Sequence, residues 1–254
     1  MWQGIRSEWV KYRRTAIPWI LWLTPCAIAG IILMYGYPLR ASSNKWIYLN
    51  LFDTVGDIWY GALIVLIWGL IAGLAAHLDI QAERWRALRS HAIAPWRLYT
   101  SKLLVLIMQT LLSTVWLLVL LHICMGLLNI PFSLAGSLAL SGAILTGWIA
   151  SLPILAASLW LAVKFDWPVA VGFGSIGILI AAIIGTTHIG NGMWIALPWT
   201  WAVRAAYSAY FAMEHSLPDG DAVQTLQMVL PTAACSLLLL AALAAFWFQR
   251  REAG

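Results

Sequence analysis

The sequence predicts an all-α integral membrane protein with six transmembrane helices, and three observations carry that prediction. Of its 254 residues, 62% are hydrophobic and only 10% charged, a balance outside the range of soluble globular domains. Six stretches contain no Asp, Glu, Lys or Arg, and each supplies the roughly 20 apolar residues that a span needs. They are Ile17–Tyr37, Ile58–Leu78, Leu103–Leu128, Leu138–Val163, Val169–Ile189 and Val229–Phe248. The basic residues, finally, gather at alternate ends of these stretches. Residues 17–254 therefore read as one membrane domain, preceded by a helix over residues 1–16.

Orientation follows from the same charges. With the N-terminus inside, Arg6, Lys11, Arg13, Arg14, Arg84, Arg86, Arg89, Arg97, Lys102, Lys164, Arg250 and Arg251 face the cytoplasm, leaving Arg40, Lys45 and Arg204 outside. That divides the 15 Lys and Arg twelve to three, which predicts cytoplasmic termini by the positive-inside rule. The net charge of +5 then reflects topology and anionic lipid; nucleic acid is not an expected partner. The first span exceeds a signal-peptide core and lacks a small-residue cleavage site, so it is expected to be retained.

Trp2, Ile5, Trp9, Tyr12 and Ala16 recur at three-four spacing, with Arg6, Lys11, Arg13 and Arg14 off that face. This pattern predicts an amphipathic helix in the inner interface, anchored by Trp and drawn to anionic headgroups. After the first span, the outer loop Pro38–Asp57 carries Asp53 and Asp57. The third and fourth spans are joined by a minimal turn at Asn129-Ile130-Pro131, and the fourth and fifth by Lys164–Pro168. The longest loop, Gly190–Gln227, is expected outside, with its apolar first half (Met193–Trp201) lying on or dipping into the outer leaflet.

Small residues mark packing faces. Gly69 and Gly73 form a GxxxG pair with His77 one turn on, and Ala170 and Gly174 form a second pair. Gly177, Ala181 and Gly185 line up at four-residue spacing. Such stripes let helices approach closely in lipid. Packing, within the chain or against a second subunit, is the default reading, and the last stripe is expected to face a second subunit.

The segment from Asp79 to Pro95 concentrates charge and tryptophan as no other loop does. With its flank it holds Arg84, Arg86, Arg89, Arg97 and Lys102, five of the 15 basic residues, beside Glu83 and Trp85. It should form a short helix ending before Pro95, because the residue preceding a proline is driven from helical geometry. Trp85, Leu88 and Ala92 would share one face, while Glu83, Arg86 and Arg89 offer polar contacts. A short, charged, Trp-bearing helix on the cytoplasmic side suits the docking of a soluble partner.

Several chemistries are missing. The six spans contain no ionisable carboxylate, ammonium or guanidinium, and proton relays in membranes are built from groups that titrate. No GxxxxGK[ST] phosphate loop occurs, and Gly172–Gly177 matches GxGxxG only inside a span, without the strand-turn-helix setting that fingerprint requires. Ser175 and His188 lie over three turns apart on one helix, too far for a nucleophile and base. Cys26, Cys124 and Cys235 sit in apolar spans and show no metal spacing. No catalytic residue, metal ligand or cofactor is expected on this chain, and haem ligation by His77 or His122 has no supporting pattern.

Glu83, Trp85, Leu88, Arg89, Pro95, Arg97, Tyr99 and Lys102, in that order, resemble the second cytoplasmic loop of type-2 ABC exporter permeases, most closely the lantibiotic-immunity and bacitracin-resistance branch. The outer Leu197-Pro198-Trp199 followed by Arg204 is similar to that branch as well. The helix over residues 2–16 resembles the family's elbow helix. The resemblance implies a bacterial inner-membrane subunit paired with a second permease, identical or related. Each half would rest on a cytoplasmic ABC ATPase that carries ATP and Mg. Glu83, Arg84, Trp85, Arg86, Leu88 and Arg89 would form the coupling helix. The expected activity is expulsion of an amphipathic antimicrobial peptide or lipid-like compound. The alternatives are haem or cofactor export within the same superfamily, and a non-transport membrane sensor or assembly protein.

Overall fold

The computed structural model describes residues 2–35, 47–81, 95–187, 190, 192–214 and 220–253. Helix α1 spans Trp2–Tyr12 and α2 Ala16–Met34; α3, Ile47–Ile58, runs through a π-helical turn at Trp59–Leu63 into α4, Ile64–Gln81. Helix α5 covers Pro95–Leu127, α6 Leu134–Phe165 and α7 Trp167–Ile180, which continues into a second π-helical turn at Ala181–Gly185. A 3-10 turn at Trp194–Ala196 precedes α8, Pro198–Glu214, and the last helix, α9, is Gly220–Ala253. No strand occurs among the described residues.

Six of these runs are long and apolar enough to cross a bilayer: Ala16–Met34, Ile47–Leu78, Trp96–Leu127, Leu134–Phe165, Trp167–Gly185 and Gly220–Arg250. Each of the six expected stretches falls on one of them. Four of the runs exceed 30 residues, about 45 Å or more at 1.5 Å per residue. They therefore overrun a hydrocarbon core about 30 Å thick. The six crossings leave Arg13, Arg14, Arg97, Lys164 and Arg250 at one end of the bundle, the basic end, where α1 lies and α9 finishes.

Local chemistry sets where the helices start and stop. The Thr15 hydroxyl donates to the Tyr12 carbonyl (2.7 Å) and accepts from the Ile17 amide (3.3 Å), which turns α1 into α2. Asn129 takes a left-handed φ of 50° after α5, and Ser133 caps α6 by accepting from the Gly136 amide at 3.3 Å. Asp166, at φ 85°, accepts from the Trp167 amide at 2.7 Å and so begins α7, with Pro168 in its first turn. Proline suits that position because its missing N–H has no helical partner there anyway.

Buried polar groups bridge the helices, as lipid demands. Trp68 Nε1 donates to Ser151 Oγ at 2.9 Å, linking α4 to α6. The Ser113 hydroxyl donates to the Leu21 carbonyl at 2.6 Å, linking α5 to α2, and Tyr99 donates to the Ala156 carbonyl at 3.2 Å. The Tyr60 hydroxyl, in the first π-helical turn, donates to the Ile144 carbonyl. The two π-helical turns abut: a Cβ on Gly61 would lie 3.9 Å from Thr186 Cγ2, just past the second turn. At the basic end α1 packs along the start of α5, where a Cβ on Gly4 would lie 2.9 Å from Ser101 Oγ.

Two expected loops are helices instead. Ile47–Ile58, read as outer loop, is α3, with Leu51, Phe52 and Val55 fully buried on one side and Asp57 exposed. Pro198–Glu214, read as part of the long external loop Gly190–Gln227, is α8. Its Ala202, Ala205, Ala206 and Ala209 form a narrow small-residue face, buried with Trp201, Val203 and Tyr210. That face nests against α6, where a Cβ on Gly147 would lie 3.0 Å from Ala206 Cβ.

Candidate functional site

The two GxxxG-like pairs recognised separately in the sequence meet each other. A Cβ on Gly69 of α4 would lie 2.6 Å from the Ala170 carbonyl oxygen and 3.3 Å from Gly174 Cα of α7. One on Gly174 would lie 2.8 Å from the Val65 carbonyl oxygen, and one on Gly73 would lie 3.2 Å from that of Trp167. At Gly69 and Gly174 the second and fifth spans thus touch backbone to backbone. Toward the basic end, the His77 ring meets Trp167 edge to face, with centroids 6.2 Å apart. His77 Nδ1 stands 4.0 Å from Asp166 Oδ1.

Helix α4 leads from this contact to Gln81, and α5 departs from Pro95. The expected partner-docking residues Glu83, Arg84, Trp85, Arg86, Leu88 and Arg89 lie between them, outside the described residues. The structure describes the two helices from which that segment hangs.

The other candidates converge at the far end. Pro198 begins α8 and Trp199 follows, its ring 4.8 Å from that of Phe173 on α7. Arg204 Nη2 donates to the carbonyls of Ile184 (3.1 Å) and Thr187 (2.7 Å), where the second π-helical turn ends. A cation at that position satisfies carbonyls that the helix leaves open and meets its negative pole. Burial pulls the Arg204 pKa below its ordinary value. Replacing Arg204 by Met keeps the stem and removes both bonds. The expected loss is on the order of 2 kcal/mol, measurable as a lowered melting temperature of the purified chain.

This geometry corrects the reading of the Gly177, Ala181 and Gly185 stripe. A Cβ on Gly177 would collide with the Trp199 ring and Val65 Cγ1, and one on Gly185 would lie 3.3 Å from Val203 Cβ. Ala181 is fully buried within the chain. The stripe is filled by α8 and the second span of the same chain, so it is no surface for a second permease. Four-residue spacing marks a close-packing face without naming the neighbour that fills it.

Sequence reasoning missed the bond that ties α8 to α3. The Tyr207 hydroxyl donates to Asp57 Oδ1 at 2.9 Å. Burial first, then the charges of Asp57 and Asp53, raise the Tyr207 pKa well above the usual phenol value and keep it a neutral donor. Phe52 stacks on Tyr210 with centroids 4.5 Å apart and meets Tyr207 edge-on at 4.9 Å. The signal for this region was present as alanines at 202, 205, 206 and 209, a helical face shorter than a span.

Among the described residues no group of His, Cys, Asp and Glu could hold a metal ion. What the arrangement offers is mechanical: a tight helix pair leading to a charged segment at one end and a clamped cap at the other. No curated protein and no solved structure matches the chain. A family model described as ABC-2 family transporter protein matches residues 4–179, which include most of α1 and all of the α4–α7 contact. With that match over more than half its length and six apolar helices around the contact, the chain is a multi-pass membrane protein that belongs to the ABC-2 transporter family.

Proposed function

We propose that this chain is the membrane-spanning half of an ATP-driven exporter that expels an amphipathic peptide or lipid-like compound, in the manner of lantibiotic-immunity and bacitracin-resistance permeases. The observation that carries the reading is the α4–α7 contact. The segment 82–94 follows α4 in the sequence, and α4 touches α7 through backbone at Gly69, Gly73, Ala170 and Gly174. A push on that segment reaches the fifth span without passing through a flexible side chain. Glu83, Arg84, Trp85, Arg86, Leu88 and Arg89 would dock in a groove of a cytoplasmic ATPase carrying ATP and Mg. A second permease, identical or related, would complete the complex. Both termini would lie in the cytoplasm of a bacterial inner membrane, in keeping with the basic residues at that end. The charge-free stretches at the centre of the spans favour a substrate that enters sideways from lipid over a small hydrophilic solute.

The test is co-expression with the cognate ATPase subunit and purification in lipid nanodiscs. The expected outcome is a stable complex whose ATP hydrolysis rises with one class of membrane-active compound, while the chain alone hydrolyses nothing. Hydrolysis by the highly purified chain alone, or failure to capture any ATPase subunit, contradicts the reading.

A further inference from the structure

At the basic end, α1, α2 and α5 leave a half-open cavity of about 180 Å³ between them. Its walls are apolar and rich in indole: Trp9 from α1, Pro18, Leu21 and Trp22 from α2, and Leu112 from α5. Two polar groups interrupt that surface. Arg13 stands on its rim, exposed, and its side chain makes no hydrogen bond or ion pair among the described residues. Gln109 lines the interior, is 8% exposed, and its Oε1 has no hydrogen-bond partner among the described residues. A buried acceptor left unmade is costly, so the cavity asks for a donor as well as for an apolar filling.

The level of the cavity narrows the choice. The charge-free part of α2 begins directly after Arg13 and Arg14, so the cavity lies where headgroups give way to hydrocarbon. Indole and guanidinium side chains favour that level. A volume of about 180 Å³ is below that of pockets which enclose a drug-sized molecule. It suits the upper segment of one acyl chain whose remainder runs on in the bilayer.

We propose that this cavity holds one anionic phospholipid: its phosphate on the Arg13 guanidinium, one acyl chain along Leu21, Trp22 and Leu112, and a headgroup hydroxyl donating to Gln109 Oε1. The lipid would fix α1 to the first and third spans. This assignment is independent of what the protein exports.

Native mass spectrometry of the full-length chain, titrated with phosphatidylglycerol and with phosphatidylcholine of the same acyl chains, tests it. The expected result is one tightly retained phosphatidylglycerol, preferred over phosphatidylcholine by about fivefold or more, the worth of one basic side chain at an anionic surface. Arg13→Gln should abolish the preference. Leu112→Trp should fill the cavity and remove retention of both lipids. Both positions are exposed, and unchanged melting temperatures would show that the variants fold. Equal retention of the two lipids by the wild-type chain overturns the proposal. So does an unchanged preference in Arg13→Gln, undiminished retention in Leu112→Trp, or displacement of the lipid by inorganic phosphate alone.

Discussion

Replacing Gly69 by Leu is expected to unfold the contact between the second and fifth spans, the largest stability loss of any single substitution considered for this chain. Even a methyl at that position would lie 2.6 Å from the Ala170 carbonyl oxygen and 3.3 Å from Gly174 Cα. Those atoms belong to backbone and cannot rotate away, so α4 and α7 must separate. Overpacking a filled core costs about 1–3 kcal/mol. Leu adds its bulk to a contact already closed, so Gly69→Ala should fall within that range and Gly69→Leu beyond it. Gly172 supplies the control: it lies on α7, two residues from Gly174, and a Cβ there meets nothing within 4 Å. Gly172→Ala should melt with the wild-type chain, while Gly69→Ala melts well below it. Equal melting temperatures for the two variants would mean that the helices do not touch at Gly69.

Glu83→Ala and Trp85→Ala are expected to abolish transport while leaving the chain inserted and abundant. An exporter driven by a soluble ATPase must pass movement through an element continuous with its spans, and segment 82–94 joins α4 directly to α5. Truncating a central Trp at a protein interface removes about 2 kcal/mol or more, which is more than tenfold in association. A segment that only fixed topology would respond differently, because exposed ion pairs contribute roughly 0–1 kcal/mol and neutral substitutions would pass unnoticed. Substrate-stimulated ATP hydrolysis of the reconstituted complex distinguishes the two. Wild-type stimulation by both variants at equal expression would remove the segment from the mechanism.

The six spans were legible because each contains about 20 residues without a charge, a pattern that admits few other readings. Helix α8 was not. Arg204 breaks its apolar run and Glu214 ends it, and its buried face is built from alanines, which weigh little in hydropathy. Helix α3 was hidden the same way by Asp53 and Asp57, although its buried side is aliphatic and aromatic. The Gly177–Gly185 stripe was found and then pointed outward, because a periodicity records which residues share a face and is silent about what lies opposite. Gly69 with Gly73 and Ala170 with Gly174 were each visible as pairs. Only the fold shows that each is the other's complement. The indole cavity could not be read from sequence, since Trp9, Trp22 and Gln109 come from three separate helices.

The abutting π-helical turns at Trp59–Leu63 and Ala181–Gly185 give the second and fifth spans uneven stiffness along their length. Toward the basic end, from Val65 to Gly73 against Trp167 to Gly174, the pair packs backbone on backbone into a shaft. A π-helical turn carries one residue more than regular winding allows, and such turns are where helices most readily kink. Two of them side by side make a compliant joint at one level of the bundle. Beyond it α8 is held to both spans, by Tyr207 on Asp57 and by Arg204 on Ile184 and Thr187. Torque delivered at the basic end would be stored as bending at that joint, and the cap beyond it would turn through a smaller angle than the shaft.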